Sequence, residues 1–285
     1  MTAITEKRIQ VNGVPLWTAV QGQEMPVVLC HGGPEVYDYL GPVAGMIDDI
    51  ATVYRYDQRG CGRSEHVLPY DVETFVEELD GLREHWGLDT WVVGGHSWGA
   101  ELAIAYAVSK PHRVSGLLSL SGTGVDDNWH EEYHRNRAAR LSPKERERLQ
   151  YLDRSETPIG AELDAVRKER LALLARTELF DPSLVERAPK YDAFPINYDQ
   201  NAMMGKPWEG LSGPEEFVAR VSELRMPALI VYGEGDPRPR WTNTQLTTML
   251  PDGRFVEVPR AGHDIWVERP ERLRPILRRF IGELA

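Results

Sequence analysis

Three residues spaced along this chain could together break an acyl bond. Ser97 lies in Gly94-Gly95-His96-Ser97-Trp98-Gly99, where Gly95, Ser97 and Gly99 fill a G-x-S-x-G frame. Asp236 follows Gly233-Glu234-Gly235, and His263 follows Arg260-Ala261-Gly262. A serine hydroxyl is a weak nucleophile until a base takes its proton. Imidazole titrates near neutrality and is the natural base. It needs a carboxylate to fix its tautomer and balance its charge. The chemistry implied is two-step acyl transfer. Ser97 attacks a carbonyl, His263 acts as base and then acid, Asp236 orients His263, and water releases the acyl group.

Other residues compete for these roles. Of the eight histidines, His66, His85, His112, His130 and His134 lie in helical or charged stretches and read as solvated. His31 sits in a tight turn and reads as structural. His96 should point away from its neighbour Ser97, as core or pocket wall. Asp126 and Asp127, just past another strand, compete with Asp236, whereas Asp264 reads as facing elsewhere. The oxyanion would be held by the backbone N–H of Trp98 and one from His31-Gly32-Gly33-Pro34, with Gly33 the candidate; Pro34 has no N–H to give.

The elements around these residues place them at strand ends. Short apolar runs at Pro26–Cys30, Ala51–Tyr56, Trp91–Val93, Val114–Leu120, Pro227–Tyr232 and Arg254–Val258 read as strands buried on both faces. Helical patterns alternate with them: about Tyr39 to Ile50, Asp71 to Trp86, Ala100 to Val108, Trp241 to Leu250 and Pro270 to Leu284. Asn12-Gly13 between two extended runs signals an opening hairpin. The fold class is α/β, a mostly parallel sheet flanked by helices. In such sheets, sites form beyond the carboxyl ends of the strands. Ser97, Asp236 and His263 all fall there.

Between Val125 and about Glu223 strands disappear. Ser142-Pro143-Lys144-Glu145 has the form of a capping box, and Thr157-Pro158 and Asp181-Pro182 start further helices. This stretch reads as an inserted helical cap. The expected division is a core of residues 1–124 and 225–285 with a lid of 125–224. Aromatics of the lid, Tyr198 and Trp208 among them, are candidates to line a pocket.

A net charge of −11 argues against a nucleic-acid partner. Cys30 and Cys61 do not make a disulfide framework. The amino terminus lacks an apolar signal core, and no apolar run reaches membrane-spanning length. A cytoplasmic protein acting on a small molecule or short peptide, without membrane, metal or cofactor, is the expectation.

Three motifs now combine: His31-Gly32-Gly33-Pro34, Asp57-Gln58-Arg59-Gly60-Cys61-Gly62-Arg63-Ser64 and Gly95-His96-Ser97-Trp98-Gly99. With Gly235-Asp236 and Gly262-His263, they make the chain resemble the proline iminopeptidase branch of the α/β-hydrolase fold. The resemblance implies an aminopeptidase whose cap supplies carboxylates for the substrate's free amino terminus. Glu35 and Glu209 are the candidates here, beside Trp208. It also implies that Asp57 and Arg59 support their loop rather than catalyse. The chain departs from that branch at Glu35, His96 and Glu101, where smaller residues are usual. An esterase or lactonase, and a binding protein that kept the fold without turnover, are the alternative functions.

Overall fold

The computed structural model describes residues 2–125, 128–154, 161–190, 192–206, 209 and 213–285. Eight strands form one sheet: β1 Thr5–Val11, β2 Val14–Gly22, β3 Met25–Cys30, β4 Ala51–Tyr56, β5 Trp91–His96, β6 Val114–Leu120, β7 Ala228–Gly233 and β8 Gly253–Val258. Their order is β1-β2-β4-β3-β5-β6-β7-β8. The hairpin β1–β2 turns at Asn12-Gly13, both with positive φ, and pairs Val11 with Val14. β2 runs antiparallel to β4, and from β4 onward every pairing is parallel.

The inner strands β3–β7 read as continuous apolar runs because both sheet faces are covered there, whereas β8, expected to be buried on both faces, is the last strand of the sheet and buries only Val258 fully. On β3, Val28 and Cys30 enter one core while Val27 and Leu29 enter the other; on β5, Trp91 and Val93 part from Val92 in the same way. Helices α2 (Val72–His85) and α3 (Trp98–Ser109) cover the first face. Helices α1 (Gly41–Ala44), α10 (Ile265–Glu268) and α11 (Pro270–Leu284) cover the second. Helix α9 (Arg240–Met249) lies between β7 and β8. The helix expected over Tyr39 to Ile50 is largely absent. Only α1 is α-helical, and residues 45–50 are turns with bonds to the third residue back, Ile47 to Ala44 and Ile50 to Ile47. The close approach of Gly22 to the Asp48 backbone, and the bond from Gln21 to Asp48, hold this stretch against the end of β2 instead.

Between β6 and β7 lie α4 (His130–Ala139), α5 (Pro143–Arg154), α6 (Ala161–Glu178), α7 (Tyr198–Met203) and α8 (Pro214–Glu223). The Ser142–Glu145 capping box is formed: Ser142 N donates to Glu145 Oε2 (2.8 Å) and Glu145 N to Ser142 Oγ (3.3 Å). Helix α8 packs Phe217 and Val221 into the first core. Asp181-Pro182 starts a 3₁₀ helix, Pro182–Arg187, rather than an α-helix. Its entry is pinned, because the N–H groups of Phe180 and Asp181 both donate to the Glu268 carboxylate in the core. Thr157-Pro158 lies outside the described residues. Among the described residues, no helix is long and apolar enough to cross a membrane.

Candidate active site

Ser97 stands between the last residue of β5 and the first of α3, with φ 54° and ψ −125°. A side chain rarely adopts that backbone, and holding it costs about 1–3 kcal/mol. The neighbouring glycines make the turn possible. A Cβ on Gly95 would overlap the backbone of Gly99, and one on Gly99 would overlap the carbonyl of Cys30. Strand, turn and helix pass too closely for any other residue at either position. The turn is anchored by Ser97 N donating to Leu120 O (3.0 Å) on β6.

His263 and Asp236 meet across the loops that follow β8 and β7. His263 Nδ1 lies 2.7 Å from Asp236 Oδ2, with both side chains nearly fully buried. Since a carboxylate can only accept, Nδ1 carries the proton, and Nε2 keeps the lone pair that a base requires. The His263 carbonyl accepts from Ser121 Oγ (2.8 Å) and His96 Nε2 (3.2 Å). The rings of His96 and His263 are 4.3 Å apart. His96, the residue before Ser97, thus places the histidine loop beside the elbow.

His96 is 1% exposed and is a strut rather than a base. Its Nε2 faces a carbonyl and so must donate, which leaves Nδ1 to accept from the Tyr39 hydroxyl at 2.6 Å. The Tyr39 oxygen accepts the Gly32 N–H (2.9 Å). Burial, followed by the charge of His263, holds the His96 pKa well below the usual histidine value. One chain of bonds therefore runs from the glycine loop through Tyr39 and His96 to the His263 backbone.

The same chain bears on the oxyanion donors. Gly32 spends its N–H on Tyr39, and a Cβ on Gly32 would stand 2.9 Å from Ser97 Cβ. Gly33 follows, exposed and at φ 130°. Trp98 opens α3, where the first N–H groups have no acceptor within the helix. His31 braces the loop from below. Gln58 N donates to His31 Nε2 (3.1 Å), so Nδ1 donates to Gly32 O (2.8 Å). Gln58 also bonds the His31 carbonyl and the Trp98 indole. Asp57 accepts from Asp38 N and from Arg63, and Arg59 pairs with Glu78. These contacts are of the supporting kind.

Glu35 is half-buried, hydrogen-bonded to Asn201, with Oε2 buried and without a partner among the described residues. Burial raises its pKa. Tyr198 opens α7 with the Arg167 guanidinium 3.8 Å over its ring. Glu209 is exposed, in a turn. Glu101 accepts from Thr123 Oγ1. Trp208, Asp126 and Asp127 lie outside the described residues.

Sequence reasoning missed the parts of Arg238, Glu178 and Asp264 beside the His263–Asp236 pair, and that of Tyr39, which reaches it through His96. Arg238 donates to Asp236 Oδ1 through its backbone N (2.9 Å) and Nη1 (3.3 Å). Glu178, at the end of α6, accepts from the same guanidinium. Asp264, expected to face elsewhere, is buried beside the site, and burial pushes its pKa up to about 7. Arg238, two residues past Asp236, and Asp264, next to His263, carry a signal in the sequence; Glu178 and Tyr39 carry none. Oxygen and nitrogen atoms of Glu178, Asp236 and His263 come within 4.8 Å of one another, as a metal site would need. Arg238 already balances both carboxylates, and His263 Nδ1 is committed to Asp236, so these groups do not suit a cation.

Comparison with known proteins agrees with this architecture. The α/β-hydrolase fold family model matches residues 25–270. The proline iminopeptidase of Clostridioides difficile is 28% identical, over 98% of each chain. That of Heyndrickxia coagulans is 26% identical, over 92% of each. The crystal structure of proline iminopeptidase from Mycobacterium smegmatis superimposes with a TM-score of 0.72 at 23% identity, covering 98% of both chains. With the family model spanning most of its length, this chain is an α/β-hydrolase, a member of the α/β-hydrolase fold family resembling its proline iminopeptidase branch.

Proposed function

We propose that this chain is a serine hydrolase working by two-step acyl transfer, with an N-terminal prolyl amide or peptide as its substrate class. The observation that carries the mechanism is the 2.7 Å bond from His263 to Asp236, with the His263 ring 4.3 Å from that of His96, the residue before the serine on its strained strand-to-helix turn. Ser97 attacks the carbonyl, and His263 Nε2 takes its proton. Asp236 stabilises the imidazolium that forms. The N–H groups of Trp98 and Gly33 receive the oxyanion; each such donor lowers the barrier by about 3 kcal/mol. His263 then protonates the leaving amine, and water, activated by the same histidine, frees Ser97.

The aminopeptidase reading is supported by relatives named proline iminopeptidase along nearly the whole chain. It needs a carboxylate for the substrate ammonium, since a buried charge must be paired. Glu35 suits that part best, two residues after Gly33, with one oxygen uncommitted. Helices within 125–224 are proposed as the cap over the site, with Tyr198 and Trp208 lining it. Glu209, exposed here, would serve only by turning inward.

The test compares proline p-nitroanilide with short-chain p-nitrophenyl esters. Arylamide cleavage that raises proline as a product is expected. Glu35→Gln should raise KM for the arylamide by roughly 10- to 100-fold, the scale of one charged hydrogen bond, and leave ester KM alone. Ester turnover without arylamide cleavage would replace the aminopeptidase by an esterase or lactonase.

A further inference from the structure

Glu178 reaches the His263–Asp236 pair from outside the sheet, as the last residue of α6. It touches the pair in two ways. Its backbone carbonyl accepts the His263 N–H at 2.7 Å. Its carboxylate accepts from Arg238 Nη1, which also bonds Asp236 Oδ1, the oxygen that His263 does not use. Behind Glu178 stand two groups of α4: the Tyr133 hydroxyl donates to Oε1 (3.0 Å), and Arg137 Nη2 is 3.3 Å from that oxygen.

Arg238 alone would work against the chemistry. A guanidinium on Asp236 draws off the negative charge that must stabilise an imidazolium on the other carboxylate oxygen. In a buried site such a charge is poorly screened. A second carboxylate on the far side of the guanidinium cancels it. We propose that Glu178 is a positioning residue of the hydrolytic centre, which holds Arg238 against Asp236 and offsets its charge so that His263 can take up a proton.

No other group around this site fills that part. Besides Glu178, with Tyr133 and Arg137 behind it, the groups there are Asp236 and Arg238 after β7, His96 at the end of β5 with Tyr39 bonded to it, and Asp264 next in the chain. Burial and the neighbouring His263 keep His96 neutral. Burial keeps Asp264 partly protonated near pH 7. Burial opposes ionisation of Glu178, but Arg238 and Arg137 outweigh it and hold the carboxyl well below the usual range. Arg238 thus stands between the Asp236 and Glu178 carboxylates, with Arg137 on the outer side of Glu178. The end of α6 then belongs to the working floor of the site, whatever the rest of the cap does.

This inference rests on His263 being the base. It is tested by titrating His263 directly, through ¹³Cε1 NMR of histidine-labelled protein assigned with His263→Gln. Glu178→Gln removes the balancing charge and should lower the His263 midpoint by about one pH unit or more. Arg238→Met removes the cation on Asp236, leaves Glu178 paired with Arg137 alone, and should raise it by a similar amount. Glu178→Asp keeps the charge and should stay within about 0.3 pH unit of the parent, so it carries the test with Arg238→Met if Glu178→Gln does not fold. Midpoints that do not move in Glu178→Gln and Arg238→Met, or that move the same way, overturn the proposal. The titration needs no turnover, so it is separate from the hydrolase reading, which phosphonate labelling of Ser97 tests on the same samples.

Discussion

The elbow and the outer helices are held by contacts of different kinds. Around Ser97 and His263, backbone packs on backbone. A Cβ on Gly95, Gly99, Gly233 or Gly262 would overlap a main-chain atom of a neighbouring segment. Between α5 and α6, side chains meet in water: Arg148 with Glu169, Arg170 with Asp153 and Arg176 with Glu145, most of them near half exposed. Only glycine satisfies the first kind of contact. Many pairs would satisfy the second, and exposed pairs contribute little. The proposed chemistry therefore sits where the chain has least freedom to vary, and substrate choice falls to parts that can change without unfolding the core.

That contrast can be broken at several points. Ser97→Ala should lower turnover by about 10⁴-fold or more while far-UV circular dichroism and the melting curve stay those of the parent. Gly99→Ala should cost more than about 3 kcal/mol, read by urea unfolding, because the Cys30 carbonyl cannot move without dragging β3. If Gly99→Ala folds normally, the backbone-on-backbone account of the elbow is wrong.

A smaller effect follows from His96. Burial, with the neighbouring His263 charge, holds its pKa well below 6.5 in the folded chain. Below about pH 6.5 the unfolded chain takes up a proton that the folded one refuses, so this group's share of stability is intact above that pH and is lost as pH falls toward the folded value. The loss is about 1.4 kcal/mol per pH unit. His96→Gln should therefore unfold with a shallower decline between pH 6.5 and 5 than the parent. Equal slopes would contradict a neutral His96. At the lower end, a double-mutant cycle on Arg148 and Glu169 should give a coupling of about 0–1 kcal/mol that fades in salt.

How much of this was legible in the sequence follows the same division. Gly95-His96-Ser97-Trp98-Gly99 announces its turn because glycine there is a steric demand. The β3 and β5 runs announce themselves because both faces are buried. The Ser142–Glu145 cap was legible because its bonds close within four residues. The Glu178–Arg238 and Tyr39–His96 contacts were not. Each joins segments 57 or more residues apart, and no local pattern marks an ion pair that only tertiary packing assembles. The 39–50 stretch misled for a related reason. Its apolar spacing suits a helix, but Gln21 and Gly22 at the end of β2 hold Asp48 in a turn. His96 was legible as buried wall; that it ties the Gly32 loop to the His263 backbone was not.

The central claim is that Ser97 is a nucleophile activated by His263 and Asp236. It is tested most directly by reacting the intact protein with a fluorophosphonate and locating the adduct by peptide mass spectrometry. The account predicts one phosphonate per chain, on Ser97, with none on Ser97→Ala and labelling slowed by about 10²-fold or more in His263→Gln. An unlabelled Ser97 in folded protein, or labelling that is indifferent to His263, would contradict it.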